Sequence, residues 1–342
     1  MRIRSIDFFK GLAILAVIMI HTRPFLTGQS KNNDWDLLGQ FIKQISSFGV
    51  PFFYVSAGYF FTLGIQKDGL FVRWWLYVKK LFLLFAIWII IDGIFRGSWL
   101  VDIFQAKSLS PLLANLSAIP IFAAKYPDLF LFSGTAVPLW FLMSLMISIS
   151  ILTLGIKLSI SPKMLLLIGF CGYFFTLQPY TNMPLGIGLK LPIGQQGPFI
   201  AFLFLTMGHF LIAHKTPARS SSLILAASML IVFAESSALS LFSGTPFHGR
   251  LYLVGTIFFA TSVFLFALQN PNFGSRSIFS KIGNRSLGIY LVHWPVLAAL
   301  IFVKGAFVSP VWEVLFPVAI LATSYAIVIG LMKLPYIRPL VS

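Results

Sequence analysis

The chain has little acid and almost no cysteine. Among 342 residues there are 9 Asp and Glu against 25 Lys and Arg, charged residues make up only 10%, and Cys171 is the sole thiol. A single cysteine excludes an intrachain disulfide and any Cys-based zinc or iron–sulfur centre. It lies in the apolar run Leu165 to Phe175, where it reads as core packing. Globular chains carry about a quarter charged residues, so this chain could not cover its own surface in water. Also missing are a Walker-type Gly-rich loop, a His-Glu-x-x-His pair and a Gly-x-Ser-x-Gly elbow. Nucleotide hydrolysis is therefore not expected, and neither is a metal site.

What the chain does have is apolar length. Hydrophobic residues make up 58% and mean hydropathy is +0.91, so the apolar excess must face lipid. Runs of membrane-spanning length fall near 6 to 26, 45 to 65, 76 to 95, 136 to 156, 163 to 179, 197 to 214, 221 to 242, 250 to 269, 282 to 303 and 311 to 332. The expectation is an all-α polytopic transmembrane bundle of about ten spans, forming a single domain over 1–342 with no appended soluble domain. The first run begins with Arg2 and Arg4 like a signal peptide, but no small-x-small cleavage site follows, so it reads as an uncleaved helix. The interruption from Arg96 to Ala136 carries Pro111, Pro120, Pro127 and the apolar piece Leu112 to Ala124, which suggests a short interfacial or re-entrant helix on the outer face.

A net charge of +16 suggests nucleic-acid binding at first sight. The basic residues instead sit singly and in pairs between the apolar runs, where they act as topology signals and meet anionic headgroups. No nucleic-acid partner is expected; membrane lipids are. With the N-terminus cytosolic, sixteen of the 25 Lys and Arg fall inside and nine outside. Asp92, Lys304 and Glu313 are among the residues assigned to the outer side. Both termini are therefore expected in the cytosol.

Ionisable and imidazole groups inside a span are functional candidates by default. The first run carries Asp7, Lys10 and His21. Eleven residues at 100° each bring Lys10 and His21 onto one helical face, roughly 16 to 17 Å apart along the axis, with Asp7 one turn below. The plainer alternative is a snorkelling Lys paired with Asp7 and a structural His. In the ninth run, Ser286, Tyr290 and His293 are spaced four and three apart and share a face, with Pro295 just beyond. That face either shapes a polar cavity or hydrogen-bonds to a neighbouring helix. Glu235 is an intramembrane acid, either functional or paired with a nearby Lys or His. Trp140, opening the fourth run, is an interfacial anchor or a sugar-stacking platform. Arg73, Lys79 and Lys80 at the third run are topology punctuation or a phosphate-holding cluster. His209, His214 and His248 receive no role.

These segments resemble a known family. Asp7-Phe8-Phe9-Lys10-Gly11-Leu12-Ala13 followed by His21 is similar to the first-helix signature of membrane acyltransferase family 3, where Arg or Lys, ten residues and His form the central motif. Phe48-Gly49-Val50-Pro51-Phe52-Phe53-Tyr54-Val55-Ser56-Ala57-Gly58-Tyr59, Leu139-Trp140-Phe141-Leu142 and Gly283-Asn284-Arg285-Ser286-Leu287-Gly288-Ile289-Tyr290-Leu291-Val292-His293-Trp294 agree in order. The resemblance implies a bacterial inner-membrane enzyme that moves an acyl group, commonly acetyl, from cytosolic acyl-CoA to a hydroxyl of an envelope or secreted glycan. It places the motif cation on Lys10 and the essential imidazole on His21. By this reading His21 is the base or a transient acyl carrier. Asp7 orients Lys10, and Lys10, Arg73, Lys79 and Lys80 meet the anionic cofactor. Two positions depart from the family pattern: Tyr77-Val78-Lys79-Lys80 stands at the usual basic Arg-x-x-Arg, and Leu287 replaces the customary Tyr. The rival readings are a transporter or flippase for a glycan or lipid-linked intermediate, and an assembly subunit working with polysaccharide biosynthesis or export proteins. The paired broken helices common in transporters are not visible in the sequence.

Overall fold

The computed structural model describes residues 3–26, 33–181, 197–214, 221–243, 247, 251–307 and 309–341; among them all regular structure is helical. Arg2, Lys31, Lys190, Lys215, Arg219, His248 and Arg250 lie outside the described residues. A chain this apolar has to satisfy its backbone within each segment, because lipid offers no hydrogen bonds, and the helix is the solution that needs no neighbour. A helix forms under each apolar run: α1 (Arg4–Thr22), α2 (Asn33–Ile45) leading into α3 (Gly49–Asp68), α4 (Leu70–Ile94), α5 (Trp99–Ala106), α6 (Ser110–Lys125), α7 (Pro127–Ser133), α8 (Trp140–Lys157), α9 (Pro162–Thr181), α10 (Pro198–Ala213), α11 (Ser221–Ser243), α12 (Val254–Gln269), α13 (Ile278–Gly283), α14 (Ser286–Ala306) and α15 (Pro310–Met332).

Seven helical segments are long and apolar enough to cross a membrane: Arg4–Thr22, Trp35–Asp68, Leu70–Ile94, Val137–Lys157, Ser221–Phe242, Ser286–Lys304 and Pro310–Met332. Pro162–Leu177, Pro198–Ala213 and Val254–Gln269 are apolar but shorter. The interruption expected after α4 holds three helices rather than one, α5 to α7. The apolar piece Leu112 to Ala124 lies within α6, which tolerates Pro120 in its interior.

Two close approaches set the packing around the site. A Cβ on Gly58 of α3 would collide with the Leu205 carbonyl of α10, and one on Gly208 would collide with the Val55 carbonyl of α3, so these helices meet backbone to backbone. In the same way, a Cβ on Gly11 would strike the Phe279 carbonyl of α13, and one on Gly283 the Asp7 carbonyl of α1. The start of α1 is further fixed by Ser5, whose amide donates to the Pro271 carbonyl at 3.1 Å and whose hydroxyl donates to the Ala267 carbonyl at 2.5 Å. We call the end of the bundle that holds the start of α1 the near face and the other end the far face. Gly69, with φ 81, makes the one-residue turn between α3 and α4 at the near face, a backbone angle that suits glycine.

One expectation needs correcting, and three residues turn inward. Cys171 is exposed on α9, not in the core. Asp92, Lys304 and Glu313, read as outer-side residues, lie at the far-face ends of their helices with their side chains turned into the bundle. In each case a flanking sequence shows how far along a helix a residue lies but not which way its side chain turns.

Candidate active site

A cavity of about 510 Å³ opens among α1, α3, α4, α8 and α14, within the roughly 300–1,000 Å³ typical of small-molecule sites. Lys10, Arg73 and Lys80 supply its basic groups; Phe53, Phe60, Leu76, Leu81, Phe141 and Leu145 supply apolar walls; Ser286 and Tyr290 close it from α14. Lys10 Nζ lies 5.2 Å from the Phe60 ring centroid. Arg73 sits over the Tyr77 ring at 5.4 Å and pairs with Asp68 at 3.3 Å, so its guanidinium is oriented at the near-face turn. Positions 73, 77 and 80 follow one another at four and three residues, which turns all three toward the cavity. Lys79 falls off that face and is not among the lining residues, and neither is Asp7.

Beyond Tyr290 lies a pair of imidazoles, neither of them among the cavity's lining residues. The Tyr290 ring packs 5.2 Å from Phe141, and its hydroxyl donates to the Pro138 carbonyl just ahead of α8. One turn further along α14, His293 is fully buried, with its ring 5.6 Å from Tyr290 and its Nδ1 bonded to the Tyr290 carbonyl. A carbonyl can only accept, so Nδ1 carries the proton and the Nε2 lone pair is left over. Nε2 is buried and has no hydrogen-bond partner among the described residues. The His21 ring lies 5.4 Å from His293 and 5.3 Å from Trp294, partly buried at the end of α1.

Two polar stripes thus face each other. On α1, Lys10 borders the cavity and His21 meets the imidazole; on α14, Ser286 and Tyr290 border the cavity and His293 supplies that imidazole. The spacing arguments for the two helices concern the two sides of a single site.

Other candidates lie elsewhere. Trp140 is buried and packs 6.4 Å from Tyr54, so it is not an interfacial anchor, and it is not among the cavity lining. Glu235 pairs with backbone: its two carboxylate oxygens accept from the amides of Val254 at 3.0 Å and Gly255 at 2.6 Å, capping α12. His209 Nδ1 bonds the Thr62 hydroxyl at 2.9 Å, and His214 stacks on Phe210 at 4.0 Å. Asp92 was missed as a candidate. It is buried on α4, within electrostatic reach of Tyr290, and its Oδ1 has no partner among the described residues. The signal that could have found it is its place two residues before the end of an apolar 25-residue helix.

Fold and site together describe a multi-pass membrane protein that holds a basic cavity one helical turn from a pair of imidazoles. The family model of the acyltransferase 3 type, described as an acyltransferase domain, matches residues 3–332, and the chain belongs to that family of membrane acyltransferases. Comparison with curated proteins returns no match, and comparison with solved structures returns none.

Proposed function

We propose that the protein is an O-acyltransferase that takes an acyl group, acetyl in the simplest case, from cytosolic acyl-CoA and places it on a hydroxyl of a cell-surface or secreted polysaccharide. The observation that carries this reading is the cavity: Lys10, Arg73 and Lys80 border one side of a space that ends at Tyr290, one turn from the His293–His21 pair. Phosphates favour such a cation cluster, and the apolar walls suit the uncharged arm that carries a thioester.

In this reading all ten apolar helices cross a bacterial plasma membrane, with the near face and both termini cytosolic. The excess of Lys and Arg on that side supports this orientation. The donor enters from the near face and the acceptor from the far face. The acceptor hydroxyl attacks the thioester carbonyl while His21 takes its proton; a C–O bond forms, the C–S bond breaks, and the imidazolium returns the proton to the departing thiolate. With its Nδ1 proton committed to the Tyr290 carbonyl, His293 offers Nε2 as a second acceptor that aligns the hydroxyl. Ser286 and Tyr290 shape the acyl end of the cavity.

The test is transfer of labelled acetyl from acetyl-CoA to surface glycans in cells producing the wild type, His21→Ala or Lys10→Ala. Label is expected to fall about 10²–10⁴-fold in His21→Ala, the range for loss of a general base, and to fall strongly in Lys10→Ala at normal protein levels. Label unaffected by His21→Ala would overturn the assignment, and loss of polymer export instead of acylation would favour a transport role.

A further inference from the structure

The chain leaving α1 directly after His21 is gripped by a buried ion pair that the chemistry above does not use. Lys304, near the end of α14, donates from Nζ to the Thr22 carbonyl and, at 3.4 Å, to the Arg23 carbonyl. Glu313, in the first turn of α15, pairs with Lys304 at 3.6 Å, and its Oε2 accepts the Phe25 amide at 2.9 Å. Both side chains are about nine-tenths buried, at 7% and 10% exposure. Backbone angles within the gripped segment are unusual: Arg23 has φ 48 and Phe25 φ 62, left-handed values that neither residue favours. Phe25 is pinned again by stacking on Trp35 at 5.3 Å.

A buried ion pair is a poor device for stability, since desolvation can outweigh attraction and an apolar replacement often serves as well. What this pair does have is direction. Apart from each other and the Phe316 ring beneath Lys304 at 5.9 Å, the two charges spend their hydrogen bonds on the backbone of residues 22 to 25. His21 occupies the last turn of α1, so the height and rotation of its ring follow from where that exit is fixed. Among the described residues, Arg23 also acts electrostatically on Lys304, and it belongs to the clamped segment itself. We propose that Lys304 and Glu313 are positioning residues that hold the end of α1 so that the His21 imidazole stays against His293. This inference rests on the acyl-transfer reading.

Lys304→Met combined with Glu313→Leu removes both the donor to the Thr22 carbonyl and the acceptor of the Phe25 amide without stranding a buried charge. In membrane vesicles fed labelled acetyl-CoA, this variant is expected to lose at least about tenfold in kcat, in keeping with the sensitivity of catalysis to displacements near 1 Å. KM for acetyl-CoA and the yield of folded protein should stay as in the wild type, and Lys304→Arg should keep most of the activity. A second arm reads geometry alone. With Cys171→Ser, the pair His21→Cys and His293→Cys is cross-linked by a short bifunctional thiol reagent, and the yield should fall several-fold when the clamp is also removed. Unchanged cross-linking, or wild-type kcat per folded molecule, would overturn the proposal. If the wild type itself showed no His21-dependent label, the acyl-transfer reading would fail, whereas the cross-linking yield would still decide whether the pair holds the end of α1.

Discussion

Glu235 and Glu313 are both acids within apolar helices, and each accepts from backbone amides, Glu313 beside its partner Lys304. Glu235 receives the first amides of α12, donors that no intrahelical carbonyl can serve and that carry the positive end of the helix dipole. Removing it by Glu235→Ala should cost about 0.5–2 kcal/mol, the range for a lost helix cap, seen as a lower thermal midpoint in detergent. Label transferred per folded molecule should not change; a loss of transfer at full stability would bring Glu235 into the reaction. An intramembrane carboxylate is conspicuous in a sequence, but its partners here are amides about twenty positions away, and amides leave no mark in the residue code. The same holds for Lys304 and Glu313. Their opposite signs on either side of the α14–α15 connection are visible, while the Thr22 carbonyl and the Phe25 amide they hold are not.

At the scale of the element, the helices were legible because lipid leaves the backbone few alternatives, and their facing stripes were legible because 3.6 residues per turn aligns Lys10 with His21 and Ser286 with Tyr290 and His293. The sequence did not reveal that the two stripes meet. That depends on Gly11 and Gly283, whose missing side chains let α1 and α13 touch and so set the register of α14 beside α1. Length sets α10 and α12 apart: with 16 residues each they span about 24 Å at 1.5 Å per residue against a hydrocarbon core of about 30 Å, so their crossing in the proposed reading requires the bilayer to thin locally. The α3–α10 contact carries its own prediction. Gly58→Leu would drive a side chain into the Leu205 carbonyl, and the expected outcome is a sharply lower yield of folded protein on size-exclusion chromatography; a normal yield would mean that the two helices can separate at little cost.

For the whole molecule, the proposed orientation makes the near face cytosolic. In a Cys171→Ser background, Lys157→Cys at the near-face end of α8 should react with a membrane-impermeant maleimide in inverted vesicles and not in intact cells; the reverse pattern would turn the molecule over. The bundle also acts as a ruler. From Lys10 to His21 is eleven residues of helix, roughly 16 Å, so a donor that grips the cations while offering its carbonyl to the imidazole needs an arm of about that length. An acyl phosphate, whose charge adjoins the reactive carbon, is too short to do both, and labelled acetyl phosphate should leave the glycans unlabelled. In the proposed reading, selection among acyl donors is then first a matter of reach: the distance along one helix would admit long carriers and refuse small activated acids before any contact to the acyl group is made.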